Sequence, residues 1–395
     1  MKKAVVIIPT YNERENIQTV IPLLLKVFKS VKNWDMHLLV VDDTSPDKTY
    51  EVVAALEKKH TPVHLVVNKQ KSGLGGAYLK GMEHAFGKLT ADVVFEFDAD
   101  LSHDPTKIPE FLAAIDDGAD MVLGSRYIKG GGIPADWGLH RKFLSVMGNI
   151  VIATVLTNFS IRDWTGGYRA ISRKVYEKVR PHMNSKRFTG YTFQIGFLHQ
   201  AVRQGFKIVE VPFVFVDRTI GQSKLGPEYI KNTLVFIFKV RMMEIFQHKV
   251  FKFAVVGGIG SLVQLLSLQL FRFLLPSFQV LVITDFLVAT LLSIEVAIIS
   301  NFILNNMWTF ADLKLKSAQI PSKFLQFNLA STGSLLIQLV IAGLGEFLIG
   351  IFTLFTLPIV AIAVDTGMVF AVTGILIGMV WNFFAYTKFI WKKTK

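Results

Sequence analysis

Two kinds of hydrophobic patterning divide the chain. Up to about residue 220, short β-branched runs at 4–8, 38–41, 63–67, 93–97, 121–123 and 208–216 alternate with helical stretches such as 16–31 and 48–59. The runs are almost continuously apolar, as expected for strands covered on both faces. Their alternation with helices predicts an α/β domain on a mostly parallel sheet. From residue 250 the pattern changes to four long apolar segments, near 253–275, 281–304, 324–350 and 359–387. A bilayer core of about 30 Å takes about 20 helical residues, so each segment is long enough to span. Between the two regions, Ile230, Leu234, Phe236, Ile237, Phe238 and Val240 mix with Lys231, Lys239 and Arg241. That mixture suits a helix lying in the headgroup plane with its cations on phosphates, or an amphipathic helix packed on the preceding domain. The organisation expected is a domain over 1–226, an amphipathic region over 227–249 and an all-α membrane domain of four transmembrane helices over 250–395.

Charge sharpens this division. The chain is 51% hydrophobic with a mean hydropathy of +0.42, yet from Lys249 onward it carries only ten Lys/Arg and five Asp/Glu. The net charge of +13 suits nucleic acid, or anionic headgroups and phosphorylated substrates, and the apolar spans favour the second reading. Cysteine is absent, which excludes disulfides, thiolate metal sites and cysteine nucleophiles. The apolar run at 4–8 is too short for a signal peptide and ends at Pro9. Basic residues gather after the second span (Lys314, Lys316, Lys323) and at the tail (Lys388, Lys392, Lys393, Lys395), whereas the linkers near 276–280 and 351–358 carry no charge. The positive-inside rule then predicts two hairpins, with both termini and the first domain cytoplasmic.

The chemistry gathers at strand ends, where open α/β sheets bind ligands. Asp98-Ala99-Asp100 directly follows the run at 93–97, and Asp42-Asp43 ends another. Alternate carboxylates at a strand end suit a hard divalent cation, Mg²⁺ or Mn²⁺, that shares them with phosphate oxygens. The alternative is a pair of solvated loop carboxylates. The segment Lys71-Ser72-Gly73-Leu74-Gly75-Gly76 is neither a P-loop nor a dinucleotide fingerprint; it resembles the G-L-x-x-A turn of the enzyme family whose motifs follow, which implies a turn opening a helix over 76–85.

Ile7-Ile8-Pro9-Thr10-Tyr11-Asn12-Glu13, Val40-Val41-Asp42-Asp43-Thr44-Ser45-Pro46-Asp47 and Asp98-Ala99-Asp100-Leu101-Ser102-His103 resemble the motifs of family 2 glycosyltransferases of GT-A fold. Gly124-Ser125-Arg126-Tyr127, Gly130-Gly131-Gly132, Trp137, Arg141-Lys142, Asp163, Thr165-Gly166-Gly167-Tyr168-Arg169 and Arg218 with Ser223-Lys224 narrow the resemblance to polyprenol-phosphate (dolichol-phosphate) mannose synthases. It runs through nearly all of residues 4 to 226. It implies that Pro9, Tyr11, Glu13, Val41 and Asp43 hold the nucleotide, although Glu13 also suits a first-turn carboxylate facing a helix dipole. Asp98, Ala99 and Asp100 would line the diphosphate and metal. The position that carries Gln in some members is Ser102 here, a weaker oxygen ligand. Arg126, Arg141 and Ser145 are assigned to the acceptor phosphate, and Arg218 and Lys224 to the donor diphosphate. Asp163 is read as orienting sugar hydroxyls or Arg169, or as a turn residue. The catalytic set expected is Asp98, Asp100, Arg126, Arg218 and Lys224.

Lys252-Phe253, Val256-Gly257 and Asn305-Asn306-Met307-Trp308-Thr309-Phe310 resemble GtrA-like four-helix membrane domains. The activity implied is inverting transfer of mannose from GDP-mannose to a polyprenyl phosphate, with the membrane as a partner and no nucleic acid. Alternatives from the same residues are a glucosyltransferase using UDP-glucose, or a transporter or scaffold for lipid-linked sugars. Gln264, Glu295, Asn301, Gln338, Glu346 and Asp365 interrupt the spans; interhelical hydrogen bonding or placement near an interface accounts for them more readily than a lipid-linked sugar route does.

Overall fold

The computed structural model describes all residues outside 184–190, 218–226, 278, 281–282, 358–361 and 393–395. Two compact units emerge, Met1–Arg241 and Met242–Lys395.

The first unit is built on a seven-stranded sheet in the order β3-β2-β1-β4-β6-β5-β7. The strands are β1 (Lys2–Thr10), β2 (Trp34–Asp42), β3 (Val63–Val67), β4 (Val93–Glu96), β5 (Met121–Ser125), β6 (Arg169–Ser172) and β7 (Ile208–Pro212). β6 alone runs antiparallel, to both β4 and β5, while the other pairings are parallel. The central strands are apolar on both faces because helices cover both. Val5, Ile7, Leu39 and Val41 enter one core with α3 (Gly73–Gly87), while Ala4, Val6, Ile8, Leu38 and Val40 enter the other with α1 (Arg14–Phe28). Gly81 lets α3 lie directly on β1, since a Cβ there would drive into the Ile7 side chain.

Three expectations need adjusting. β7 stops at Pro212, with only an isolated bridge from Val214 to Gly132 beyond it, so the run to 216 is not all strand. α3 begins at Gly73, which takes φ +69, so the glycine-rich segment forms the first turn of the helix itself. The helix α8 (Pro227–Gln247) buries Ile237 in the core of the first unit with Phe236 and Val240 beside it, and leaves Ile230, Val235 and Phe238 exposed. One of its apolar faces is packed and another is open.

The second unit consists of two helical hairpins, α9 (Lys249–Leu274) with α10 (Asp285–Leu304) and α11 (Ile320–Ile349) with α12 (Thr366–Ala385). Among the described residues, four helices are long and apolar enough to cross a membrane. The spans expected from 281 and 359 begin later, at Asp285 and Thr366. The residues ahead of them pair as small antiparallel ribbons, Gln279–Val280 with Ile283–Thr284 and Thr353–Leu357 with Ile362–Asp365. These segments are rich in β-branched side chains, which favour an extended chain.

Candidate active site

The chain reverses sharply after β4. Leu101 takes φ +64, and Ser102 donates its backbone N–H to Asp100 Oδ1 at 3.2 Å. The Tyr78 hydroxyl donates to Asp98 Oδ1 at 3.0 Å. Burial pushes the Tyr78 phenol well above its ordinary value, with the charges of Asp98, Glu96 and Asp100 adding to the effect, so it stays a donor. His103 is buried and stacks on Tyr168 at 4.9 Å. Its Nδ1 accepts the Asp98 backbone N–H at 3.0 Å, which places the ring proton on Nε2, 3.7 Å from Asp98 Oδ2. Burial lowers the His103 pKa against the opposing pull of Asp98 and Asp100. An imidazole whose Nδ1 is taken by the Asp98 backbone N–H supports the turn that carries Asp98.

Among the described residues no three His, Asp or Glu side chains converge as a metal cage. The chemistry of Asp98 and Asp100 nonetheless fits a divalent cation, because Mg²⁺-type sites use one or two carboxylates and complete their shell with substrate phosphates and water. Ser102 is 2% exposed, and its backbone serves Asp100.

Arg126, at the end of β5, is held by Asp163. Its Nε donates to Asp163 Oδ2 at 2.7 Å, its Nη2 to Asp163 Oδ1 at 2.8 Å and to Thr165 Oγ1 at 2.8 Å. Burial raises the Asp163 carboxyl, but the Arg126 charge and hydrogen bonds from Arg126 and the Gly166 N–H outweigh it and hold the carboxyl below its usual range. This corrects the expected partner of Asp163. Its bonds go to Arg126, whereas Arg169 is fully buried beside Glu96 at 3.9 Å and donates to the carbonyls of Gly166, Gln194 and Trp164. Arg169 is thus a structural brace for the 163–169 segment. Glu96 is equally buried, and loss of solvent pushes its carboxyl up to about 7 despite the nearby Arg169.

Arg141 and Ser145 lie on α5 (Leu139–Val155). Arg141 forms a bidentate pair with Asp217, both contacts at 2.9 Å, and stacks 3.7 Å over Trp137, whose Nε1 also donates to Asp217 at 2.7 Å. The Ser145 hydroxyl bonds Tyr127 Oη at 2.6 Å. Aromatic rings connect these cations: Arg126 lies over Tyr127 and Phe215, and Phe215 meets Trp137 edge-on. Arg126, Arg141 and Ser145 therefore share one aromatic-lined patch. Leu139, Phe143 and Ile150 on α5 are exposed at 86%, 63% and 49%. This open apolar face was overlooked in the sequence, although its spacing of one residue per helical turn or two is a helix-surface signal.

At the other end of the sheet, Asp43 accepts from Asn68 Nδ2, Ser72 N, Ser72 Oγ and Gly73 N at 2.7 to 3.1 Å. Four donors fill a carboxylate's sites. In this conformation Asp43 anchors the 68–73 segment, which brings Lys71 Nζ 3.6 Å over the Tyr11 ring. The Glu13 carboxylate accepts from Asn16 Nδ2 at 2.7 Å at the start of α1, and Pro9 and Val41 line adjacent strand ends in register. Ala99 is 5% exposed between the two acidic residues. Arg218 and Lys224 lie outside the described residues.

A mostly parallel sheet with one reversed strand and an acid pair at a strand end is the architecture of a nucleotide-sugar glycosyltransferase of GT-A fold. The family model for glycosyl transferase family 2 matches residues 5–180, and that for the GtrA/DPMS transmembrane domain matches 252–391. A dolichol-phosphate mannosyltransferase of Pyrococcus furiosus is 33% identical over 347 residues, 86% of this chain and 89% of its own. A polyprenol monophosphomannose synthase of Mycolicibacterium smegmatis is 38% identical over 240 residues, 60% of this chain and 86% of its own. Mannosyl-3-phosphoglycerate synthase from Rubrobacter xylanophilus aligns structurally with a TM-score of 0.44 at 15% identity, covering 62% of this chain and 74% of its own. The chain belongs to the family 2 glycosyltransferases, among the polyprenol-phosphate mannose synthases that carry a GtrA-type membrane domain.

Proposed function

We propose that the protein transfers mannose from GDP-mannose to a polyprenyl phosphate with inversion at the anomeric carbon. The observation that carries this reading is α5, which presents Arg141 and Ser145 beside Arg126 and exposes Leu139, Phe143 and Ile150 on the same helix. Such a helix suits a substrate with an anionic head and an apolar tail.

Asp98 and Asp100 would hold a divalent cation, Mg²⁺ or Mn²⁺, which when bound supplies charge stabilisation for the leaving diphosphate. Tyr78 and His103 keep Asp98 oriented, and Ser102 keeps Asp100 oriented. Arg126, fixed by Asp163, and Arg141, fixed by Asp217, hold the acceptor phosphate. Arg218 and Lys224 would meet the donor diphosphate. A phosphate oxygen attacks C1 of mannose, the C1–O bond to the diphosphate breaks, and GDP departs with the bonding pair. The nucleophile is already ionised near neutral pH, so no general base is required, and catalysis comes from positioning and charge stabilisation.

The charge distribution of the linkers supports both termini and the catalytic unit on the cytoplasmic side. The test of the function is a panel of radiolabelled GDP-mannose, UDP-glucose and UDP-GlcNAc with a short polyprenyl phosphate. Transfer from GDP-mannose is expected; a chain that uses only the uridine donors would overturn the reading.

A further inference from the structure

The two membrane hairpins are versions of one another. Each begins with Lys-Phe near the start of its first helix, Lys252-Phe253 in α9 and Lys323-Phe324 in α11. Each second helix ends in a π-helical turn, Asn305–Thr309 after α10 and Tyr386–Ile390 after α12. Counted from these turns, Asn301-Phe302 matches Asn382-Phe383, and Phe310 matches Trp391. Phe310 and Trp391 stack on each other at 4.6 Å with their planes 7° apart.

Against this likeness, one difference stands out. Met307 and Ala311 of the first hairpin correspond to Lys388 and Lys392 of the second. At the first hairpin end Lys249 pairs with Asp312 at 2.8 Å and Lys252 lies over the Trp308 ring. The second opens into a groove of about 490 Å³ between α11 and α12, rimmed by Lys323, Lys388 and Lys392. Its described lining carries no carboxylate, and its apolar side is formed by Leu329, Trp381 and Phe389. Lys323 is held in place by Gln326 Oε1 at 2.9 Å and the Phe389 carbonyl at 2.6 Å, which leaves one N–H of its ammonium. Trp381 fastens the groove by donating to the Ala330 carbonyl at 3.1 Å.

We propose that this groove is a second binding site for a lipid with a phosphate monoester headgroup, separate from the acceptor patch on α5. Three cations with no carboxylate among the described residues that line the groove complement the near-dianionic monoester, which carries about −1.5 to −2 charge at pH 7, better than a singly charged phosphodiester. The volume falls within the range of about 300–1,000 Å³ typical of ligand sites. The site holds acceptor lipid in the membrane unit, and to that extent it rests on the proposed function.

The test uses the full chain in neutral detergent, with an undecaprenyl phosphate titration read by native mass spectrometry in the absence of nucleotide sugar. The starting protein is expected to bind a second lipid beyond the one lost in Arg141→Ala. Lys388→Gln/Lys392→Gln should lose that second lipid or weaken it about tenfold, as removal of a charge-assisted contact does. Turnover with a short-chain acceptor should be unchanged in the double variant, which also verifies its fold. Unphosphorylated undecaprenol, inorganic phosphate and phosphatidylglycerol should fail to displace the lipid. Unchanged stoichiometry and affinity in the double variant would overturn the site, and equal competition by phosphatidylglycerol would reduce it to general anionic-lipid contact. If mannose transfer itself fails, the lipid count still reports on the groove independently.

Discussion

The Arg126 guanidinium grips the Asp163 carboxylate through Nε at 2.7 Å and Nη2 at 2.8 Å, with the Asp163 side chain wholly buried and that of Arg126 10% exposed. Breaking such a buried pair from one side leaves a charge without compensation and costs about 3–5 kcal/mol. Asp163→Ala should therefore lower the thermal midpoint strongly, and Asp163→Asn should lower turnover with polyprenyl phosphate because Arg126 loses its bidentate hold. The pair also carries a pH signature. The folded Asp163 pKa lies below its ordinary value of 3.8, so the folded state favours the ionised form. The resulting stability is fully present above that ordinary value and is lost as pH falls through the folded one. Urea unfolding of the parent and Asp163→Asn across pH should show a stability gap that is constant near neutrality and narrows below about pH 4.

Arg141 is a different case, half-exposed and paired with Asp217. Exposed pairs contribute about 0–1 kcal/mol to stability, so Arg141→Ala should fold normally. Its effect should fall on the acceptor, with apparent KM for polyprenyl phosphate raised about tenfold or more, the cost of one charge-assisted phosphate contact. Donor binding by calorimetry should stay nearly unchanged. A tenfold loss of nucleotide affinity with lipid dependence intact would move Arg141 to the donor side.

Asp43 tests a role that its contacts suggest. Asp43→Ala strands the donors of Asn68, Ser72 and Gly73, at about 1–3 kcal/mol for a buried unsatisfied group. Stability and nucleotide affinity should fall together, because the segment carrying Lys71 over Tyr11 is released. Nucleotide affinity lost without any change in stability would instead make Asp43 a direct ligand.

Much of this architecture can be read from local pattern. The apolar strand runs, the acid pair after β4 and the four spans each announce themselves within a few residues, because strand burial and bilayer thickness impose their own periodicities. Partnerships across long sequence distances are another matter. Nothing near Arg126 points to Asp163, and nothing near Arg141 points to Asp217; these pairs form because β5 and the 163–169 segment, or α5 and the chain after β7, converge only in the folded sheet. Arg169, expected as a possible partner of Asp163, is instead buried beside Glu96 as internal support. The starts of α10 and α12 were misjudged because the ribbons ahead of them are as apolar as the spans.

The orientation of the membrane unit is open to direct labelling, because the natural chain contains no cysteine. Ser277→Cys should react with an impermeant maleimide on intact cells, while Ser317→Cys should react only after permeabilisation. The reverse pattern would invert the two-hairpin topology.

A single displacement by a lipid phosphate should depend on the acid pair after β4. Its most direct test is to incubate the purified chain with GDP-mannose, a short polyprenyl phosphate and Mg²⁺ or Mn²⁺, extract the lipid, and determine the anomeric configuration by NMR. A β-linked mannosyl phosphate is predicted, formed by the parent protein and absent with EDTA or with Asp100→Ala of normal thermal stability. An α-linked product, or undiminished turnover in EDTA, would contradict the account.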